Sequence, residues 1–256
     1  MSQAPPPTTD TLRHEEVQED PEWTEGDFKL IFSDGWSLKV WSYQLFFASA
    51  TFRNAQSCST ADSPLEIQFT DPELESREVL SLFLDILTFR GEDVGMCLCL
   101  ETSISLIAFL DKYDCGPVTE VFRLRLIRDV TENDCYSEAI FVLGAVLDDD
   151  RLCSAALLNE ERFRIDRKLS KHFGITDIPL EALDSVPQVY LRALAEATPA
   201  CDGKPCECFY ETAHQRSRKF FNELWNLKDK LQDDRDRKRR LRMVNEALSV
   251  RKRQRL

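Results

Sequence analysis

From Gly26 onward the chain alternates. Asp27-Phe28-Lys29-Leu30-Ile31-Phe32 reads as a strand, and Ser33-Asp34-Gly35 carries the residue types of a tight turn. Trp36-Ser37-Leu38-Lys39-Val40-Trp41 then alternates apolar and polar positions with period two. Successive strand side chains point to opposite faces, so the two runs predict a β-hairpin with one buried face. Tyr43 to Gln56, carrying Leu45, Phe46, Phe47 and Phe52, reads as a helix, and Leu65 to Phe69 alternates again as a third strand. Asp71-Pro72 marks a turn, after which the period changes. Val79, Leu80, Phe83, Leu84 and Leu87 recur at helical spacing and stop at Arg90-Gly91. Further helices are predicted over about 101–112, 118–128, 135–147, 151–158, 187–197 and 211–248. Asp148-Asp149-Asp150 falls between two of them and is read as a helix stop and N-cap in preference to a metal site. Strands clustered first, then successive helices, predict an α+β fold. No repeat of solenoid period is visible.

Ahead of the hairpin, residues 1–25 combine Pro5-Pro6-Pro7 with a run of acids and little apolar matter, and are expected to form a disordered acidic tail. No basic-then-apolar leader opens the chain, and its longest apolar run, Ala139 to Leu147, is too short to span a bilayer. The nine cysteines are scattered without a regular frame, which points to reduced thiols in cytoplasm or nucleus. The net charge of −12 argues against non-specific nucleic-acid binding by the whole molecule. That charge is uneven: from Lys228 onward, basic residues outnumber acids by more than two to one.

Two blocks carry a family likeness. The stretch DFKLIFSDGWSLKVWSYQLFFASATF places Asp27, Asp34, Gly35, Val40, Leu45, Ser49 and Phe52 at the positions of a leading Asp, an Asp-Gly turn and a Ser-x-x-Phe signature. Farther on, LIAFLDKYDCGPVTEVF carries a Lys-Tyr-Asp segment at Lys112, Tyr113 and Asp114. Together they resemble the BTB/POZ domain over about residues 26–130. The resemblance implies a BTB/POZ-like domain made of an N-terminal hairpin and strand with a helical cluster. The chain departs from the family at Trp41, where a His commonly follows the Val. The charged pocket that this His helps to form in many members is therefore not implied here. Residues from about 131 to 158 resemble the helical extension of BTB proteins from fungi, and 131–200 are expected to form an all-α extension. A Cys-rich linker at 201–210 and a long C-terminal helix with a basic tail at 211–256 complete the organisation.

Catalysis needs convergent titratable groups, and the chain offers only three histidines and none of the common nucleophile, phosphate-loop or metalloprotease motifs. His172 reads as a cation near a helix C-terminus. The chain is therefore expected to be non-enzymatic, without a cofactor. Cys201, Cys206 and Cys208, with His214 beyond them, admit two readings: a zinc site, or accessible thiols in a linker. Their spacing matches no standard ribbon or finger, which favours the thiols.

In the last helix Phe220, Leu224, Leu227 and Leu231 recur at steps of four and three, a stripe that packs on its own domain or forms a short coiled coil. Two basic clusters follow: Arg235, Arg237, Lys238, Arg239 and Arg240, then Arg251, Lys252 and Arg253. They read either as a nuclear import or polyanion-binding segment or as a solvated helix countering an acidic body. The resemblance implies a protein-binding adaptor that dimerises, recruits a cullin-type ubiquitin ligase, or both. Its expected contact residues are Phe69 and Asp71, standing in a hydrophobic-x-acidic element before the third helix, with Asp27, Lys112 and Tyr113. The alternative is a nuclear regulatory protein contacting nucleic acid or acidic partners through its basic helix.

Overall fold

The computed structural model describes residues 17–57, 65–90, 99–132, 137–167, 173–198 and 213–253. The fold is α+β: a small mixed sheet near the N-terminus, then helices. The chain divides into two compact units, one of Met1–Gly91 with Ala108–Val118, the other of Glu92–Ile107 with Thr119–Leu256. The divisions fall between Gly91 and Glu92 and, within helices, between Ile107 and Ala108 and between Val118 and Thr119.

In the first unit the predicted hairpin is strand β2 (Phe28–Ile31) paired antiparallel with β3 (Trp36–Val40), with Leu30 opposite Leu38 and Phe28 opposite Val40. Phe28, Leu30, Phe32, Leu38 and Val40 are buried, as the period-two pattern requires. Gly35 supplies the positive φ of the turn, +82°, and the Asp34 carboxylate accepts from the Trp36 amide. The third predicted strand is β4 (Glu66–Gln68), parallel to β2.

A fourth strand lies inside the segment expected to be a disordered tail. β1 (Gln18–Glu19) runs parallel to β3, giving the sheet order β1-β3-β2-β4. Its two side chains are exposed, so it has no apolar pattern to announce it. What holds the segment follows β1 directly. Asp20 is buried, pairs with Arg77 Nε at 2.7 Å and accepts from the Glu22 amide. Trp23 is buried too, and its carbonyl accepts from the Lys39 amide. Residues 1–16 lie outside the described ones.

The helix expected over 43–56 is two helices, α1 (Ser42–Ala48) and α2 (Ala50–Ser57), broken at Ser49. Helix α3 (Arg77–Leu87) is N-capped by Ser76, whose hydroxyl accepts from the Val79 amide, and it buries Val79, Leu80, Phe83, Leu84 and Ile86. Helix α4 (Leu100–Lys112) follows, then α5 (Gly116–Glu132).

The second unit also contains α6 (Ser137–Val146), α7 (Asp150–Arg167), a short 3-10 turn (Ile175–Asp177), α8 (Leu180–Leu183), α9 (Gln188–Ala197) and α10 (Ala213–Arg253). Helices α6 and α7 pack together, as do α7 with α10 and α9 with α10. Phe141, Tyr190 and Phe220 form the aromatic centre, with ring centroids 5.4 Å (Phe141–Phe220) and 6.4 Å (Tyr190–Phe220) apart. The expected cap after α6 is present: Asp149 accepts from the amides of Arg151 and Leu152 at the start of α7. Asp148, at φ +53°, accepts from the Tyr190 hydroxyl at 2.8 Å and pairs with Lys228 Nζ at 2.8 Å, tying the α6–α7 turn to α9 and α10. Arg216 is fully buried and donates to the carbonyl of Phe173 and the hydroxyl of Thr198.

One glycine sets a strict limit. Gly26 has φ +151°, and a Cβ there would lie 2.2 Å from the Val40 carbonyl oxygen. Gly26→Ala therefore both strains the backbone and displaces the end of β3, at an expected cost of about 2 kcal/mol or more. Trp23, Trp36 and Trp41 lie in the first unit and Trp225 in the second. Tryptophan fluorescence during denaturant unfolding in a Trp225→Phe background measures that cost for the first unit alone.

Candidate functional site

The two sequence blocks meet in the first unit, and Ser49 is the joint. It is the C-cap of α1, its amide donating to the Leu45 carbonyl. Its hydroxyl accepts from the Phe52 amide at 3.2 Å, which caps α2, and donates to the Tyr113 carbonyl at 2.5 Å. The Phe52 ring stacks on Tyr113 with centroids 4.9 Å apart, and Phe109 lies 4.7 Å from the same ring. The Ser-x-x-Phe spacing is thus a helix cap that also holds the aromatic partner of the second block. That block, in turn, is a helix end. Asp114 adopts a left-handed conformation, φ +51°, and the Cys115 amide donates to the Leu110 carbonyl, closing the last turn of α4.

Around Tyr113 the structure assembles a polar centre that sequence reading missed. Glu75, with its side chain 3% exposed, accepts four hydrogen bonds. The amides of Thr70 and Asp71 donate to Oε2 at 2.8 and 2.7 Å. Lys112 Nζ and the Tyr113 hydroxyl donate to Oε1 at 2.6 and 2.5 Å. Asp71 Oδ2 pairs with the same Lys112 at 3.1 Å, while its Oδ1 accepts from the amides of Glu73 and Leu74. The backbone turn at 71–75 presents Glu75 to this centre, with the Glu75 amide bonded to the Asp71 carbonyl. Nothing periodic marks Glu75 within the acidic run Glu73-Leu74-Glu75.

Burial pushes the Glu75 carboxyl up, but the Lys112 and Tyr113 donors and the two amides outweigh it and hold the group below its ordinary value. Tyr113 is pushed well up, by burial first and then by its bond to Glu75. Lys112 is raised by the same carboxylate, and its bond to Asp71 lowers that group. A carboxylate held charged and saturated by donors neither takes nor gives a proton near neutral pH. The centre fastens the β4–α3 loop to the end of α4.

The expected contact residues separate accordingly. Phe69 is buried, its ring 5.8 Å from Tyr113 and 6.2 Å from Phe109, so it belongs to the core and offers no side-chain surface to a partner. Tyr113 is half-buried, whereas Asp71 and Lys112 keep part of their side chains open. Asp27 is exposed but occupied: its two oxygens accept from the Ser42 amide at 2.6 Å and hydroxyl at 2.8 Å, at the start of α1. The Ser42 amide bond, more than its hydroxyl, holds the Asp27 carboxyl below the usual range despite an opposing effect of burial. These five residues organise the unit more than they display it.

What the unit displays is helix α1. Tyr43 and Phe47 are 65% and 69% exposed and stand four residues apart on one helical face, and Trp41 just before them is 45% exposed. The signal was in the sequence: Leu45 and Ala48 suffice to bury the helix, leaving two aromatics over.

Of the proposed zinc ligands, Cys201, Cys206 and Cys208 lie outside the described residues, as does His172. His214 is exposed in the first turn of α10. Among the described residues no three His, Cys, Asp or Glu gather as a metal site. Burial pushes the Cys115 thiol up to about 12 and also raises the Cys153 thiol well above its ordinary value. Arg235, Arg237, Lys238 and Arg239 are exposed on α10, which continues through Arg240 and Arg251, Lys252 and Arg253. Among the described residues no helix is long and apolar enough to cross a membrane. No protein-family model, no curated protein and no solved structure matches the chain.

Glu75 provides a pH test. Its folded value lies below the ordinary 4.5, so its stabilisation is complete above that value and disappears as pH falls through the lowered one. Glu75→Gln is expected to cost about 2 kcal/mol at pH 7 and to flatten the acid limb of the stability curve below about pH 4.5. Denaturant midpoints followed by tryptophan fluorescence in the Trp225→Phe background from pH 7 downward check both.

Proposed function

We propose that the chain is a non-enzymatic protein-interaction adaptor, and that its N-terminal unit is a BTB/POZ-like domain that pairs with a second copy through α1. The observation that carries this reading is the exposed Trp41, Tyr43 and Phe47 surface. Monomeric proteins rarely leave several large aromatics open side by side, and aromatic residues supply much of the energy of protein interfaces. A two-fold pairing sets the same patch against itself, so each copy satisfies the other. The buried Glu75 carboxylate is saturated by its own donors, which suits a fastening role in this unit.

Recruitment of a cullin-type ubiquitin ligase is the further part of the proposal. With Phe69 in the core, the side of the hydrophobic-x-acidic element open to such a partner is Asp71 with Lys112.

A photo-crosslinking amino acid in place of Phe47 tests the pairing directly. Mass spectrometry is expected to map the product to α1 of a second copy, and Tyr43→Glu to cut its yield at least about tenfold. A crosslink confined to one chain, or none across a rising concentration series, contradicts the reading.

A further inference from the structure

Helix α10 is anchored in the second unit along one side of its first part, where Arg216, Ser217, Phe220 and Leu224 are buried. The adjoining face is open. Phe221 and Trp225, one turn apart, stand 41% and 63% exposed. Both belong to a stripe that keeps to one face of the helix for about 38 Å. His214, Arg218, Phe221 and Trp225 follow one another at steps of four, three and four. Lys228, Gln232, Arg235 and Arg239 carry the same steps onward. All eight are exposed except Lys228, which is half-buried. Lys228 closes on Asp148 and Tyr190 and so ties the middle of the stripe to the unit.

Charge along α10 is sorted by face. Side chains three and four residues apart are neighbours on a helix. Around Arg218 these are His214, Gln215, Phe221 and Asn222, and around Arg235 they are Leu231, Gln232, Lys238 and Arg239. No carboxylate stands among them. On the far side, Lys230 and Arg237 each lie three or four residues from both Asp233 and Asp234. Two acids mark the border of the stripe. Asp229 lies one turn beyond Trp225, and Asp236 lies beside Arg239 with its carboxylate accepting from Gln232. Among the described residues, Arg218, Arg235 and Arg239 enter no ion pair within their own chain, so their charges are open to a partner.

Cations and flat aromatic faces on one stripe select the occupant. An anionic bilayer calls for a broad apolar face, and only two of these eight positions are apolar. A duplex offers phosphates but keeps its base faces stacked, which leaves Phe221 and Trp225 without a partner. An acidic peptide offers charge and no base faces. A single strand offers both, phosphates for the arginines and unstacked bases for the rings. The acidic remainder of the chain, which carries the net charge to −12, repels a polyanion elsewhere and confines it to α10. We propose that this face of α10 binds single-stranded nucleic acid. Bases stack on Phe221 and Trp225, and phosphates pair with Arg218, Arg235 and Arg239. One copy of the chain suffices, so the assignment is independent of the pairing through α1.

The probe is a fluorescently labelled oligothymidylate of about 12 nucleotides, titrated with the full chain and followed by anisotropy. Half-saturation is expected near about 10 µM protein at about 50 mM salt. Trp225→Ala is expected to weaken binding at least about fivefold, the loss of one stacked base. Arg218→Gln and Arg235→Gln are each expected to reduce the slope of log affinity against log salt by about 0.7. Lys230→Gln and Arg237→Gln remove the same charge from the far side and are expected to change affinity by less than about twofold. All five substituted side chains are exposed, so folding does not enter the comparison. The chain beyond Arg239 is the same in every variant and contributes equally to each. Polyglutamate of equal length has charge and no bases, and is expected to displace the strand at least about tenfold less well. No binding at about 100 µM protein, an unchanged affinity in Trp225→Ala, or equal losses from the two faces overturns the proposal. Equal displacement by polyglutamate, by a duplex of the same length or by phosphatidylserine vesicles also overturns it, and assigns the stripe to that class of partner instead.

Discussion

A carboxylate removed from water stays charged only if donors replace the water, and the fold of the first unit follows from meeting that need for Glu75. Two of its donors are backbone amides, at Thr70 and Asp71, and two are side chains at the end of α4, Lys112 and Tyr113. No conformation satisfies all four unless the β4–α3 loop lies against the last turn of α4. The segments are some 37 residues apart in the chain, so the bond set closes a long loop. Around it Phe52, Phe69, Phe83 and Phe109 fill the space beside Tyr113, with Phe83 and Phe109 5.2 Å apart. Polar specification and apolar volume are supplied at one place, and each depends on the other.

The same place governs what the unit shows outside. Because Tyr113 offers its carbonyl to the Ser49 hydroxyl, the chain must turn at Ser49, and the apolar run from Tyr43 becomes two short helices. Helix α1 is fixed at its other end by Asp27, which takes the Ser42 amide and hydroxyl. Held at both ends, α1 buries Leu45 and Ala48 and leaves Tyr43 and Phe47 outward. The proposed docking face is thus a consequence of how the buried residues are satisfied.

Much of this was legible in the chain. Period-two alternation marks β2 and β3, and helical spacing marks α3 to α7 and α9 to α10, because in each the buried face is set by repeated apolar positions. The Ser49–Phe52 and Lys112–Asp114 blocks stood out because caps and helix ends draw on few residue types. What did not show has a common physical reason: it depends on partners distant in sequence. Strand β1 is polar and two residues long, and its neighbours Asp20 and Trp23 are buried through Arg77 and the backbone of β3. The break at Ser49 is invisible without the Tyr113 carbonyl. Glu75 and Arg216 look like surface charges until their donors and acceptors are brought to them from elsewhere in the chain. Phe69 was expected at a binding surface on the strength of its neighbour Asp71, yet strand alternation sends its ring inward.

The central claim is that the Glu75 centre and the Ser49 joint belong to the same cooperative structure as the sheet. Native-state hydrogen exchange of the full chain reads this residue by residue. The amides of Thr70 and Asp71, which donate to Glu75, and of Phe52, which donates to Ser49, are expected to exchange with the same opening free energy as those of Leu30 and Leu38 in the hairpin. Exchange of the Thr70, Asp71 and Phe52 amides at the rate of an open loop, while the hairpin stays protected, would contradict the account.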